Sequence, residues 1–386
     1  MIRRLIAAVL ALLALVGGLM VALPRIHWRV WIPQMIVTEA SWMPILAGVA
    51  AVILRPLRWV NSLIALTGIV LATMPFRQIN RAHRDMRDAL AVGLPGDPLR
   101  RLPLLIANQL QPEPLSWPRL FQTKRDVSGV SVTRDVAFCE RPERTLYLDV
   151  YQPERADAAL RPTIIAIHGG SWRQGDKGVY FEAHHRLLAA QGYVVFDIQY
   201  RFSQEAVYPA QLDDVHAAMS WVADHAAEYG ADPQRVALIG RSAGGFLALH
   251  AAYRAPAALR PRAVAAYYPP VDLRLWEPLD PRSVVVSLMG GLPRDMPEAY
   301  DDAAATAHVD ADSPPTLLIH GSRDALVPLE HSEALVRRLN AAEVPHALLR
   351  VPWARHGFDG VINGPGSQLT QYHLDRFLAW ALRVDD

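Results

Sequence analysis

The sequence predicts a mostly parallel α/β sheet flanked by helices, preceded by an N-terminal transmembrane helical region. Three observations carry this. Short β-branched runs such as Thr163–Ile167, Tyr193–Ile198 and Val236–Ile239 are separated by segments of helix length, the pattern of parallel strands buried on both faces. Long uncharged apolar runs occur only near the N-terminus, at Leu5–Leu23 and Trp59–Phe76. The charge is divided: residues 1–125 hold fifteen Lys/Arg and five Asp/Glu, a balance of +10, while the whole chain is +1. Residues 126–386 therefore carry −9.

Leu5–Leu23 is nineteen residues without a charge, preceded by Arg3 and Arg4. As a helix it extends about 28 Å, near one hydrocarbon thickness. A secretory signal peptide is the rival reading, but the run is long for one and no small-x-small cleavage site precedes Pro24. Trp42–Leu54, at thirteen residues, fits a re-entrant or packed segment as well as a span, so two or three spans are expected. Trp28, Trp31, Trp42 and Trp59 stand near the ends of these runs, where interfacial aromatics belong. A hydrophobic subdomain packed on the following domain is the alternative. Topology is contradictory. Arg3 and Arg4 place the N-terminus in the cytoplasm, and Arg77, Arg81, Arg84 and Arg87 also mark a cytoplasmic side after the last span. The two signals agree only for an even number of spans.

The domain boundaries follow. Residues 1–76 are the membrane region. Residues 77–125 are a basic juxtamembrane helix, with Arg84 and Asp88 as an i,i+4 pair, and a linker containing Pro95, Pro98, Pro103, Pro112, Pro114 and Pro118. Residues 126–386 are the α/β domain, expected to be soluble and active without the rest. Val130–Phe138 and Thr145–Tyr151 read as a hairpin, Ala210–Tyr229 and Leu369–Val384 as helices, and Ala263–Tyr268, Thr316–Ile319 and His346–Val351 as further strands. Leu273–Asp302 forms either a cap or an ordinary excursion containing a helix. The basic region lacks aromatic-interleaved patches and zinc-finger spacing, so the expected partner is a membrane and not nucleic acid. Cys139 is the only cysteine, so no intrachain disulfide forms. No pattern speaks to oligomeric state.

Gly240-Arg-Ser-Ala-Gly244 fits G-x-S-x-G between an apolar strand and an Ala/Leu-rich helical run, the setting of a nucleophile elbow. Ser242 is the candidate nucleophile. A serine hydroxyl needs a histidine to take its proton and an acid to orient that histidine. Two late strands end in suitable loops, His320-Gly-Ser-Arg-Asp324 and Arg355-His356-Gly357. This makes Asp324 and His356 the candidates, with Asp272 the rival acid. Asp359 stands too close to His356 in sequence to orient it. His168-Gly-Gly-Ser-Trp172 follows the Thr163–Ile167 strand, where a Gly-rich loop brings backbone amides to a substrate oxygen. Gly169, Gly170 and the Ala243 amide are the candidate oxyanion donors, Trp172 a candidate substrate contact, and His168 a brace for the loop. No H-E-x-x-H or cysteine cluster exists, and no metal or cofactor is expected.

From about Val130 onward the chain resembles the esterase/lipase branch of the α/β hydrolases, the H-G-G-x-W carboxylesterases that are feruloyl-esterase-like and hormone-sensitive-lipase-like. The residues that carry the likeness are His168–Lys177, Gly192–Val195, Tyr200-Arg201, Tyr208–Gln211, Gly240–Gly245, His320–Asp324 and His356-Gly357. The resemblance implies a Ser242–Asp324–His356 triad acting on a small-molecule or lipid ester through an acyl-enzyme. Ser171 replaces the third glycine of the family's H-G-G-G. Arg241 precedes the serine where many relatives carry an acid, and so faces either an anionic substrate or a structural carboxylate. A prolyl-peptidase-like serine peptidase and a catalytically silent lipid-binding domain are the alternative functions.

Overall fold

The computed structural model describes residues 2–24, 30–54, 59–96, 102, 107–122, 125, 127–155, 159–276, 280 and 282–383. Trp28, Pro98 and Pro103 of the sequence reading lie outside them. Eight strands form one sheet: β1 (Val130–Glu140), β2 (Thr145–Pro153), β3 (Arg161–Ile167), β4 (Val194–Ile198), β5 (Ala231–Arg241), β6 (Ala263–Tyr267), β7 (Thr316–Gly321) and β8 (His346–Val351). Their order is β1-β2-β4-β3-β5-β6-β7-β8. β2 pairs antiparallel with β1 and β4, and every other pairing is parallel. β4, β6 and β7 are buried along their whole length, which is why they read as unbroken apolar or small-residue runs rather than alternating ones.

Among the described residues, five α-helices precede the sheet: α1 (Ile2–Ala22), α2 (Trp31–Glu39), α3 (Trp42–Ile53), α4 (Trp59–Ala72) and α5 (Met74–Gly93). Among and after the strands lie α6 (Glu182–Ala190), α7 (Ala210–His225), α8 (Ala243–Tyr253), α9 (Val284–Met289), α10 (Pro297–Asp302), α11 (Glu330–Ala341) and α12 (Pro365–Arg383). The described residues of Leu273–Asp302 thus include short helical turns.

α1, α3 and α4 pack into a bundle whose polarity is inside out. The buried faces are small: Ala7, Ala11, Ala14, Gly17 and Gly18 on α1, Gly48 and Ala51 on α3, Ala65 and Gly68 on α4. Large apolar side chains such as Leu5, Leu12, Leu46, Leu63 and Leu66 point outward and are at least half exposed. Small residues let backbones approach: a Cβ on Gly68 would stand 2.3 Å from the carbonyl carbon of Ala14. In water this arrangement wastes the hydrophobic effect. In a lipid it follows the rule for helix association. The contacts also fix direction. Gly68 meets Ala14 and Leu15 while Gly18 meets Gly68 and Leu71, whereas Gly17 meets Pro44 and Gly48 meets Ala14. α4 therefore runs parallel to α1, and α3 antiparallel to both. α1 is 21 residues of mean hydropathy 2.8 and is long and apolar enough to cross a membrane. Trp59–Gly93 also passes that test, and α2 and α3 pass it together but bend by 71° at their junction.

α5 departs from the expected surface helix. Its Ile79, Ala82, Met86 and Leu90 are buried in the same apolar cluster as Ile164, Ile319, Leu349, Leu374 and Phe377. Only its outer face is polar. There the ion pairs are Arg81–Asp85 at 3.7 Å and Arg87–Asp88 at 3.0 Å, in place of the expected Arg84–Asp88. Beyond it, residues 111–121 of the Pro-rich segment also pack on the domain. Trp117 lies against Phe76 and Phe121 against Trp42, each at 5.2 Å, and Gln111 donates to the Gln368 carbonyl at 3.1 Å.

Candidate active site

The site is assembled where β3, β5, β7 and β8 end. After Arg241 the chain turns sharply: Ser242 has φ 53° and ψ −120°, a sparsely populated conformation held by its surroundings. The Ser242 amide donates to the Tyr267 carbonyl at 2.9 Å. A Cβ on Gly244 would stand 2.2 Å from the Ile167 carbonyl oxygen, so only glycine lets α8 start this close to β3.

His356 bridges the other two candidates. Its Nε2 lies 2.9 Å from the Ser242 Oγ, and its Nδ1 lies 2.7 Å from the Asp324 Oδ2. The Asp324 Oδ1 accepts from the amides of Leu326 and Val327, both at 2.9 Å. Burial pushes the Asp324 carboxyl upward. The adjacent His356, with His320 and the Val327 amide, outweighs that and holds it below the usual 3.8. Asp272, the rival acid, is engaged elsewhere, paired with Arg274 at 2.9 Å and bonded to its amide.

The loop after β3 lies against this elbow. A Cβ on Gly169 would stand 3.3 Å from the Ser242 Cβ. His168 stacks on Tyr200 at 4.4 Å, and the Tyr200 hydroxyl donates to the His168 carbonyl at 3.1 Å. The imidazole is buried, which lowers its pKa, and it braces the loop. The Ala243 amide opens α8, where an N–H has no intrahelical acceptor. Trp172 is 2% exposed and packs edge-on against Phe246 at 5.3 Å, in the core beneath the loop.

Arg241 faces a structural carboxylate. Its Nε donates to the Asp359 Oδ2 at 2.6 Å, and its guanidinium lies over Phe181 and Tyr267. The Tyr268 hydroxyl donates to the other Asp359 oxygen, and the Tyr268 ring lies 4.5 Å from that of His356. This buried layer supports the histidine from below.

Sequence reasoning missed the contribution of the N-terminal helices. Arg323, beside Asp324, donates to the carbonyls of Val21 and Ala22 at 3.0 and 2.7 Å. Arg355, beside His356, donates to those of Met20 and Leu23 at 3.1 and 2.5 Å. Two cations thus cap the carbonyl end of α1, where the helix dipole favours positive charge. Burial and the Arg323 charge lower the Arg355 pKa to about 10. Trp31 of α2 meets the His356 ring edge-on at 6.1 Å. The only signal available was that each arginine directly precedes a candidate catalytic residue. Among the described residues no cluster of three or more His, Cys, Asp or Glu is arranged to hold a metal ion.

A family model described as BD-FAE matches residues 148–339. The probable carboxylic ester hydrolase LipM of Mycobacterium tuberculosis is 28% identical over 379 residues, covering 90% of this chain and 86% of that protein. Esterase LipC of the same organism is 32% identical over 256 residues, covering 59% of this chain and 63% of that protein. Esterase B from Lactobacillus Rhamnosis superposes with a TM-score of 0.58 at 25% identity, over 68% of this chain and 90% of its own. This chain is an α/β-hydrolase of the esterase branch. A truncated carbohydrate esterase from gut microbiota superposes similarly, with a TM-score of 0.57 at 25% identity over 67% of this chain and 98% of its own. Residues 126–386 are about two thirds of the α/β-hydrolase sequence. The likeness to LipM therefore runs into the N-terminal helices, whereas the structural superpositions cover about what the sheet domain supplies. The enzyme is a carboxylic ester hydrolase.

Proposed function

We propose that the protein is a membrane-anchored serine esterase. The observation that carries this is the unbroken line from the Ser242 hydroxyl through His356 to the Asp324 carboxylate, at 2.9 and 2.7 Å. Ser242 attacks the ester carbonyl while the His356 Nε2 takes its proton, and Asp324 holds the imidazole in the required tautomer. The amides of Gly169, Gly170 and Ala243 receive the oxyanion, each donor contributing about 10²–10³ in rate. His356 returns the proton to the leaving alcohol. Water, deprotonated in the same way, then releases the acyl group from Ser242.

Residues 1–72 form the membrane region, and α5 onward belongs with the sheet domain. Because α4 returns toward that domain parallel to α1, α3 crosses in the opposite direction between them. The chain makes three passes, and its N-terminus and catalytic domain lie on opposite sides. A fluorophosphonate probe with a panel of p-nitrophenyl esters and peptides tests the chemistry. Labelling that disappears in Ser242→Ala, with turnover of esters and not of peptides, is expected. An unlabelled but folded protein would defeat the reading. Resistance of the full chain to carbonate extraction tests the anchoring.

A further inference from the structure

α2 is amphipathic in the wrong sense for water. Gln34, Thr38 and Glu39 are at most 1% exposed, while Ile32 and Ile36 are 48% and 44% exposed. Its polar face turns inward: the Glu39 Oε2 accepts from the Gly366 amide at 2.7 Å, and Gln34 Nε2 reaches the carbonyls of Met20 and Pro24 at 3.4 Å, while the Gln34 and Glu39 Oε1 atoms are buried without a hydrogen-bond partner. Its apolar face is left for a surrounding that is itself apolar, in line with the outward leucines of the adjoining bundle.

The same helix forms one wall of the cleft beside the catalytic histidine. That cleft is narrow and lies between Trp31 and Gln34 on one side and Arg323, Leu326 and His356 on the other. Leu326, on the rim, is 42% exposed. The depth of the cleft is set by α1. The carbonyl end of this 21-residue helix is held by Arg323 and Arg355, which directly precede Asp324 and His356. A helix of that length reaches from one edge of the hydrocarbon to the other, about 31 Å. With α1 spanning the hydrocarbon, the triad stands at the level where acyl chains join their head groups, which is where the ester carbonyls of acyl lipids lie.

We propose that this cleft is a lateral portal. The substrate is a bilayer-resident acyl ester whose chain enters from the lipid between α2 and the Arg323–Leu326 loop, bringing its carbonyl to Ser242. The proposal rests on the serine esterase reading and adds the substrate class and the route. No water-filled funnel has to extract the ester from the membrane, because the wall facing lipid and the wall facing the triad belong to one helix.

The test uses the full chain in nanodiscs of phosphatidylcholine and phosphatidylglycerol. Two probes are compared: p-nitrophenyl acetate supplied from water, and 4-methylumbelliferyl oleate dissolved in the bilayer. Wild type should hydrolyse both. Ile32→Glu on the outward face of α2 and Leu326→Glu on the rim place a charge at the portal, and each should lower turnover of the bilayer ester by about tenfold or more. Acetate turnover should fall by less than about threefold, with the loss on oleate recovered in Ile32→Val. Fluorophosphonate labelling of Ser242 reports that each variant is folded. Equal losses on both probes, or no selective loss in either labelled variant, overturn the portal. So does a wild type that cleaves acetate but not the bilayer ester, which leaves the esterase reading standing. A wild type that cleaves neither removes that reading and the portal with it.

Discussion

Replacing Arg241 by methionine separates its two conceivable roles. The side chain is 4% exposed and its partner Asp359 is fully buried, with 2.6 Å between the Nε and Oδ2. Methionine retains most of the apolar packing against Phe181 and Tyr267 but leaves the Asp359 carboxylate with only the Tyr268 hydroxyl as a side-chain donor. Stranding one member of a buried pair costs about 3–5 kcal/mol. In a protein of this size that lowers the unfolding midpoint by roughly 4–6 °C. Arg241→Met/Asp359→Asn removes the stranded charge while keeping an acceptor for Tyr268, and should recover more than half of the loss. The assay is thermal unfolding of the detergent-purified full chain, read by the fraction still labelled by a fluorophosphonate. Kinetics on neutral and carboxylate-bearing esters run alongside, and the two substrates should be affected in parallel. A midpoint unchanged in Arg241→Met, with KM raised only for the anionic ester, would mean that Arg241 faces substrate and that the structural argument is wrong.

Other expectations follow from the same contacts. Ser242→Ala should remove most esterase activity, up to about 10⁶-fold for a residue acting within a triad. Asp324→Asn should cost less than that and far more than Asp272→Asn, whose carboxylate is occupied by Arg274; the reverse ranking on p-nitrophenyl butyrate would reassign the acid. Because the Asp324 carboxyl is held below 3.8, its ionised form stabilises the folded state at neutral pH, and this is lost as pH falls through the lowered value. The gap in unfolding midpoint between wild type and Asp324→Asn should therefore be constant above about pH 5 and shrink below about pH 4. A chain begun at Val127 strips α5 from β8 and α12 and should aggregate or label poorly. A chain begun at Met74 should behave better, and size-exclusion chromatography of the two gives the comparison. Reporters fused before Met1 and after Asp386 should register opposite sides of the membrane; the same side for both would exclude three passes.

What was legible in the sequence is what burial forces on composition. β3, β4 and β5 lie inside the sheet, so Ile164–Ile167, Val194–Ile198 and Val236–Ile239 appear as short apolar runs, and the turns after them carry the glycines the elbow and its facing loop require. The triad candidates could be placed because each stands just after such a run. Helices α6 and α11 were harder to see. α6 mixes two histidines, an arginine and a glutamate with its apolar residues, because it packs on charged partners as well as on the core. Arg241 was ambiguous for a related reason. A cation before the nucleophile means one thing facing solvent and another facing Asp359, which is 118 residues away.

The N-terminal third shows where such reading ends. Its apolar runs were visible, but their attachment to the enzyme includes arginine side chains on backbone carbonyls, and a carbonyl leaves no mark in a sequence. The arginines around the spans gave conflicting orientations because they were treated as one kind of signal. Arg77, Arg81, Arg84 and Arg87 lie on the solvent face of α5, a helix whose other face is part of the catalytic core, and two of them are paired with Asp85 and Asp88. A charge held on a folded domain is weak topological information, since domains translocate largely regardless of charge. Arg3 and Arg4 carry no such tie. Under the three-pass proposal, giving them the greater weight would put the N-terminus in the cytoplasm and the esterase domain on the outer side. The acyl esters of the proposed α2 portal would then be those of the outer leaflet.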